Sequence, residues 1–417
     1  MENAQEAKFK VMTESPVKPL VCRLAAPTIV SMLVTSFYNM ADTFFVGQID
    51  TSASAAVGVV FSLMAVIQAV GFFFGHGSGN YISRALGRHE TEDAERMAAV
   101  GFFSALGGGS VIMVFGLLFL RPLARWLGST ETILPYAVSY MRLILIGAPY
   151  MTASLVLNNQ LRFQGNAFYS MIGLVSGAVL NIALDPLLIF VFDMGIAGAA
   201  LATILSQAIS AVLVALTLMR SDLSYKLFLR KIRFHMDLLG QIIHIGLPAG
   251  LQSVMYSLSN VIIQSSVNSF GTDVLAAWTA YGKLDGLFWM TVSAFGISVT
   301  TFAGQNFGAQ RYDRVRKSVR VCMGMTALAT ATISILLLNF GENLYRLFSN
   351  DEEVIRQGMI ILKLLVPTYM TYICVEVLSG AVRGAGDSVV PTLFTLCGIC
   401  LLRVVWVKFV TPSHNDI

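Results

Sequence analysis

The feature of this sequence that most limits its fold is a series of eleven continuously apolar stretches, each long enough to cross a lipid bilayer. A helix needs about 20 apolar residues to cross the roughly 30 Å hydrocarbon core, and long unbroken runs favour helices over the short alternating strands of a membrane barrel. Only 12% of the residues are charged, whereas soluble proteins carry about a quarter. The sequence therefore predicts an all-α polytopic membrane protein, which leaves no room for a large soluble catalytic domain. The predicted spans are residues 20–46, 54–74, 95–119, 134–157, 168–192, 196–219, 240–268, 276–301, 319–340, 355–380 and 389–410.

The basic residues between the spans predict the orientation of the chain. They concentrate after the second, sixth and eighth spans, on the same side as the N-terminus. Because cytoplasmic loops carry the excess of Lys and Arg, we expect a multi-pass protein of the cell (inner) membrane with a cytoplasmic N-terminus. The net charge of +4 is small and unevenly distributed, so it indicates topology, and nucleic acid is not an expected partner. The residues concerned are Arg84, Arg88, Arg96, Arg220, Lys226, Arg230, Lys231, Arg233, Arg311, Arg314, Arg316, Lys317 and Arg320.

An internal repeat with an offset of 221 residues organises the chain into two halves. Without a gap, this offset pairs Pro27 with Pro248 and still pairs Gly177 with Gly398. A parallel duplication gives two bundles related by an axis along the membrane normal, which is typical of transporters. We expect two six-helix bundles with eleven spans present and the twelfth missing, as in a truncated copy. The predicted segments are an N-terminal cytoplasmic tail (1–19), an N-lobe (20–219, helices one to six), a cytoplasmic linker (220–239) and a C-lobe (240–417, helices seven to eleven).

Two acidic residues, Asp42 and Asp185, fall inside predicted spans of the N-lobe. Ionisable groups at membrane depth are costly and point to function. Helix rise places both acids, and Thr203 in the sixth span, in the outer half of the bilayer. Tyr38 and Asn181 precede the two acids by four residues and so share their helix faces. We therefore expect these five residues to form a site for a proton or a small hard cation, since all the ligands are oxygens.

Pro186 adds a backbone feature to the same site. It has no N–H group, so it leaves the carbonyl of Ile182 without a helical partner and predicts a kink. The acids have no counterpart in the second half, where the repeat aligns Asp42 with Ile263 and Asp185 with Trp406. A purely structural network would be expected to recur, which favours an ion-coupling role. The alternative is that Asp42 lies in interfacial water and Asp185 satisfies a neighbouring hydroxyl.

The second half has its own intramembrane polar residues. Gln252 lies in the seventh span, Asp285 in the eighth and Glu376 in the tenth, and Met255 offers an adaptable apolar contact. We expect these four residues to contact substrate, although internal neutralisation of the two acids is an equal alternative. The sequence has no Walker motif, so we expect neither ATP use nor a cofactor beyond the coupling ion.

Three motifs resemble those of the multidrug and toxic compound extrusion (MATE) family. They are Asn39-Met40-Ala41-Asp42-Thr43, Asn181-Ile182-Ala183-Leu184-Asp185-Pro186 and Arg383-Gly384-Ala385-Gly386-Asp387. The resemblance covers essentially the whole chain. It implies an antiporter that exports cationic or amphipathic compounds in exchange for H⁺ or Na⁺. We also expect a monomer without enzymatic activity. The resemblance also implies an N-lobe ion site at Asp42, Asn181, Asp185 and Thr203, where Na⁺ is a possible ligand.

Two other functions remain open at this stage. One is a flippase for lipids or lipid-linked oligosaccharides with the same bundle, which would need a wide basic cleft. The basic residues Arg142 and Lys363 are too few and too far to one side to favour it. The other is an inactive truncated copy.

Overall fold

The computed structural model describes residues 2–220 and 236–410 and is helical throughout this part of the chain. Four of the basic residues that support the predicted orientation lie outside the described residues, namely Lys226, Arg230, Lys231 and Arg233. Helix α1 precedes the spans, and α5 joins two of them. The α-helices are α1 (Glu2–Glu14), α2 (Val17–Gly47), α3 (Thr51–Gly87), α4 (Thr91–Leu118), α5 (Leu120–Trp126), α6 (Leu134–Phe163), α7 (Ala167–Pro186), α8 (Gly195–Arg220), α9 (Met236–Val267), α10 (Thr272–Gly308), α11 (Tyr312–Arg346), α12 (Glu352–Leu365), α13 (Tyr369–Ala385), α14 (Val389–Thr395) and α15 (Leu402–Val405).

Irregular helical turns extend several of these helices. Segments Asn268–Phe270 and Val366–Thr368 are 3₁₀-helical, and Leu187–Val191, Leu396–Leu401 and Trp406–Val410 are π-helical. Within the described ranges, eleven helices are long and apolar enough to span a membrane. The prediction of an all-α polytopic protein with eleven spans is therefore confirmed.

The two halves of the chain fold in the same register. Helix α3 and helix α10 have equal lengths, and both their first and their last residues differ by the 221-residue offset. Both helices run past the predicted apolar windows, which ended at residues 74 and 301. Their additional turns pack between the lobes, where buried polar residues such as Asn80 and Gln305 replace the apolar residues of a lipid-facing span.

The lobes meet closely at the last turns of α3 and α10. A methyl group on Gly87 would collide with the carbonyl oxygen of Gln305, and one on Gly308 would collide with that of Arg84. Gly87 and Gly308 are equivalent in the repeat, so the contact lies near the pseudo-twofold axis. The neighbouring hydroxyl of Ser83 donates to the carbonyl of Thr301 at 2.9 Å. This end of the bundle, which we call the basic end, is therefore closed.

Helix α1 lies across this closed end. The ring of Phe9 lies 3.7 Å from that of His89 in the N-lobe. On the C-lobe side, Arg314 donates to the carbonyl of Ser15 at 2.7 Å, and Asn306 donates to that of Met12 at 3.1 Å. The N-terminal residues are thus at the same end as the basic linkers, and they contact both lobes.

Replacing a glycine of this contact with a larger residue should favour the state in which the basic end is open. We expect Gly308→Val to add a steric penalty of roughly 1–3 kcal/mol to the closed state, which shifts a two-state equilibrium about 5- to 150-fold. Spin labels at exposed Glu90 and Arg311 would report a longer distance by double electron–electron resonance. The matched control is Gly324→Val, because a methyl group there meets no atom within 4 Å. An unchanged distance distribution in Gly308→Val would contradict this account of the closure.

Candidate functional site

The two N-lobe acids come together between α2, α7 and α8. The side chains of Asp185, Asn181 and Thr203 are buried, with exposed fractions of 0%, 1% and 3%. The Asp42 carboxylate interacts electrostatically with that of Asp185, and the Asn181 amide donates to Asp185 Oδ1 at 3.4 Å. Asp42 is near the end of α2 that lies away from the basic end, and Asp185 is at the end of α7. Both acids are therefore in the half of the bundle opposite the closed contact.

Two further residues complete this group. Buried Tyr140 of α6 is in polar contact with Thr203, and Gln207 of α8 is in polar contact with Tyr38. Both tyrosines also interact with the charges of Asp42 and Asp185. Tyr140 and Gln207 were not predicted from the sequence, since neither spacing nor the repeat links them to the acids. We call the set Tyr38, Asp42, Tyr140, Asn181, Asp185, Thr203 and Gln207 the N-lobe polar cluster.

Three buried oxygens of the N-lobe polar cluster are unpartnered. Asp42 Oδ1, Asn181 Oδ1 and Asp185 Oδ2 accept no hydrogen bond from the described part of the protein. Buried polar atoms are almost always paired, so each exception calls for an explanation. Among the described residues, no group of three or more His, Cys, Asp or Glu side chains is arranged to bind a metal. Two carboxylates with neutral oxygens instead suit a proton or a hard monovalent cation.

The backbone next to Asp185 departs from α-helical geometry. Pro186 ends α7, and the chain continues as the π-helical segment Leu187–Val191, with the Phe192 N–H donating to the Leu187 carbonyl at 3.0 Å. A Cβ atom on Gly198 would lie 2.7 Å from the Leu188 carbonyl oxygen, so this glycine lets α8 approach the segment. Single π-helical turns inside α-helices are frequent at functional sites. Here the turn directly adjoins the acid.

A large cavity lies in the C-lobe, in the half opposite the basic end. Its volume is about 920 Å³, and its walls come from α9, α10, α13 and the final helical segments. The Asp285 carboxylate accepts from Trp289 Nε1 at 2.7 Å and from the Tyr281 hydroxyl at 3.3 Å. It has no ion-pair partner within the described ranges. We call this cavity the C-lobe aromatic cavity, after its lining residues Tyr256, Trp278, Tyr281, Phe288, Trp289, Tyr369 and Tyr372.

The aromatic side chains of this cavity contact one another through ring stacking and hydrogen bonds. Phe288 stacks on Tyr369 with ring centroids 3.9 Å apart, and Trp289 meets Tyr372 edge-on at 4.6 Å. The Tyr281 and Tyr369 hydroxyls are 3.1 Å apart. None of these aromatic residues was predicted from the sequence, although α10 carries four of them around Asp285, namely Trp278, Tyr281, Phe288 and Trp289. The other three come from α9 and α13. Aromatic faces beside a carboxylate attract organic cations. One basic residue, Arg403, also lines the cavity, and it donates to Asn260 at 3.5 Å.

The other residues predicted to contact substrate lie elsewhere. The Gln252 amide donates to the Thr395 hydroxyl at 2.8 Å and so links α9 to α14. Met255 is not among the residues that line the C-lobe aromatic cavity. Glu376 lines a separate cavity between the lobes and forms an ion pair with Arg383 at 3.2 Å. Of the four predicted residues, Asp285 alone is in the C-lobe aromatic cavity.

These features define a helical membrane transporter with two lobes related by a repeat. The MatE family model matches residues 27–187 and again residues 248–407, and the 221-residue offset pairs the two starting points. The chain belongs to the MatE family, which comprises the MATE efflux transporters. It is a transporter and not an enzyme, as its relatives are named for multidrug export.

Curated relatives and solved structures are similar over nearly the whole chain. The multidrug export protein MepA of Staphylococcus aureus (strain MSSA476) is 23% identical over 415 residues, which cover 96% of this chain and 92% of the relative. The MepA protein of Staphylococcus haemolyticus is 25% identical over 408 residues, which cover 94% and 90%. An outward-facing multidrug resistance MATE family transporter superposes with a TM-score of 0.89 at 23% identity, covering 95% of this chain and 90% of that one. A MATE structure in the bent conformation gives a TM-score of 0.88 at 23% identity, covering 98% and 91%.

Proposed function

We propose that this protein is a cation-coupled antiporter that exports lipophilic or cationic drugs across the cell membrane by alternating access. The observation that carries the proposal is the set of three unpartnered buried oxygens on Asp42, Asn181 and Asp185. The MepA relatives are named as multidrug export proteins, which also supports the proposal. The concentration of basic residues beside the N-terminal helix supports a cytoplasmic N-terminus.

The coupling ion, H⁺ or Na⁺, binds at the N-lobe polar cluster. Two ionised carboxylates on adjacent helices repel each other strongly in a medium of low dielectric constant. A proton on one carboxylate, or a Na⁺ shared by both with Asn181 and Thr203, removes this repulsion. The electrostatic interaction between Asp42 and Asp185 supports this step. Because Asp42 is on α2 and Asp185 on α7, ion binding changes how these two helices attract each other.

The exported compound binds in the C-lobe aromatic cavity. Pockets that hold drug-sized ligands have volumes of about 300–1,000 Å³, and this cavity falls in that range at about 920 Å³. The aromatic rings cover apolar surface and offer cation–π contacts, while Asp285 supplies a negative charge without an ion-pair partner among the described residues. Arg403 weakens the attraction for cations, so the balance between these two residues sets the charge preference.

Exchange requires that the ion and the drug prefer different states of the same protein. The closed contact at Gly87 and Gly308 supports a state that opens on the side away from the basic end. In this state the ion enters and the drug leaves. Rocking of the two lobes then separates the glycine contact and opens the C-lobe aromatic cavity to the cytoplasm. The π-helical turn after Pro186 gives α7 a place to bend when the carboxylates change charge.

The exchange does not use ATP, and one copy of the chain is sufficient for it. Both the N-lobe polar cluster and the C-lobe aromatic cavity are built from one copy of the sequence, which supports a monomeric transporter. The ion gradient across the cell membrane supplies the free energy for export. No resident cofactor takes part.

Separate ion gradients should identify the coupling ion. In proteoliposomes loaded with ethidium, we expect an imposed gradient of one ion, H⁺ or Na⁺, to accelerate efflux about tenfold, and the gradient of the other to have little effect. The double variant Asp42→Asn with Asp185→Asn should respond to neither, because it can no longer change charge. If neither gradient changes the rate of ethidium efflux by the unmodified protein, the proposed antiport is wrong.

A further inference from the structure

A second cavity lies between the two lobes, just inside the closed basic end. It has a volume of about 240 Å³, and both lobes contribute to its wall. Arg162, at the end of α6, and Arg383, near the end of α13, both line it. The 221-residue offset makes these two arginines equivalent. The cavity is therefore close to the axis that relates the lobes, and it is distinct from both sites described above.

The two arginines differ in their partners. Arg383 forms an ion pair with Glu376 at 3.2 Å. The repeat aligns Glu376 with Leu155, so the N-lobe has no equivalent carboxylate for Arg162. Arg162 is only 7% exposed, its Nε has no hydrogen-bond acceptor, and no ion pair reaches its guanidinium from the described residues. A buried unpaired charge is costly unless a counter-charge is supplied.

Two other unpartnered polar atoms face the same cavity. Ser388 is 2% exposed, and its hydroxyl has no partner among the residues that the structure describes, so it can donate to an anion. Asn80 is 3% exposed, and its unpartnered Oδ1 can only accept a hydrogen bond, so it does not contribute to anion binding. The rest of the wall is largely apolar, and His76 stacks on Phe72 with ring centroids 5.3 Å apart. The wall thus combines a strong donor for an anion with space for an apolar group.

From this arrangement we propose that the cavity between the lobes is a binding site for a small organic monoanion, a carboxylate with an apolar body. The charges of Arg162, Arg383 and Glu376 leave one positive charge, which a monocarboxylate neutralises. The planar guanidinium of Arg162 suits bidentate contact with a carboxylate. The volume is below that of drug-sized pockets, so the ligand is about as large as benzoate.

The bound anion would link the lobes. Arg162 belongs to the N-lobe and Arg383 to the C-lobe, so an anion between them stabilises the state in which the basic end is closed. This role goes beyond the export of cations, since it adds an anionic ligand that favours one state of the transport cycle.

Benzoate and its neutral analogue benzamide test the proposal on the full-length protein in phosphatidylcholine nanodiscs. We expect benzoate to raise the melting temperature in a saturable manner, as measured by intrinsic tryptophan fluorescence, and benzamide to have no such effect. Arg162→Gln should weaken benzoate binding at least tenfold, because the unpaired donor is lost. Glu376→Gln should tighten it severalfold, because the cavity then carries two positive charges.

Control variants separate the loss of Arg162 from a general effect of removing an arginine. Arg142→Gln removes an exposed arginine from the same helix and should bind benzoate normally. If Arg162→Gln does not fold, Ser388→Ala should still weaken binding. Equal stabilisation by benzamide, or equal benzoate binding in Arg162→Gln and Arg142→Gln, would overturn the proposal. Stabilisation by phosphatidylglycerol in the nanodisc but not by benzoate would also overturn it, in favour of a lipid headgroup.

Discussion

Replacement of Asp185 by asparagine should abolish drug efflux, with a loss of roughly 100-fold, while the protein still folds. The substitution preserves shape and removes the charge that has to change during coupling; a coupling free energy of about 3 kcal/mol corresponds to a factor of about 150. The side chain is fully buried and has no cationic partner among the described residues. Because an ionised group in such a place is costly, the variant should unfold at the same temperature as the original protein or at a higher one.

Ethidium efflux from cells and the melting temperature of the purified protein measure the two effects. The matched control is Asp193→Asn, which makes the same change at an exposed residue just beyond the π-helical segment. Asp193 has a positive φ of 52°, a conformation that asparagine also tolerates. The control should retain full efflux. Full drug resistance in Asp185→Asn at normal membrane abundance would remove the N-lobe mechanism.

Opposite changes in cation affinity are expected from two residues of the C-lobe aromatic cavity. Asp285→Asn removes the negative charge but can still accept a hydrogen bond from Trp289, so the KM for ethidium should rise about tenfold, equivalent to about 1.4 kcal/mol. Arg403→Gln removes the opposing positive charge and should lower that KM severalfold. A neutral substrate of similar size should be affected little by either change.

Transport kinetics in proteoliposomes measure these changes. The control Asp273→Asn alters an exposed acid in the first turn of the same helix and should leave the KM unchanged. If Asp285→Asn and Arg403→Gln shift the KM in the same direction, or if neither shifts it, the cavity does not select its ligand by charge. The ion-coupling role of the N-lobe would be unaffected by that outcome, because the two sites are in different lobes.

The number and class of the helices followed from the sequence because the apolar windows are a local property. The limits of the helices did not. The apolar window of the second span ended where Gly75-His76-Gly77-Ser78-Gly79 begins, yet α3 continues through this segment to Gly87. Methyl groups at Gly75 and Gly77 would press on Asn159 and on the Ile242 carbonyl. These glycines are sites of close helix contact, which an apolar window cannot reveal.

The candidate sites show the same division. The spacing of Tyr38 from Asp42 and of Asn181 from Asp185 follows from helix periodicity, and depth estimates brought α2, α7 and α8 to one level. No such rule pointed to Tyr140. In the C-lobe, polarity alone selected Gln252, whose amide bonds to Thr395 within the bundle.

By itself the sequence determined the membrane class, the eleven spans, the 221-residue repeat and the asymmetry of acids between the halves, since each depends on residue type and on spacing along one helix. Only the tertiary structure decided which polar groups meet. It paired Glu376 with Arg383, gave Arg162 no carboxylate partner among residues 2–220 and 236–410, surrounded Asp285 with aromatic rings and closed the basic end at two glycines. The physical reason is that partners lie on different helices, and the rotation and crossing of those helices depend on side-chain packing across the whole bundle.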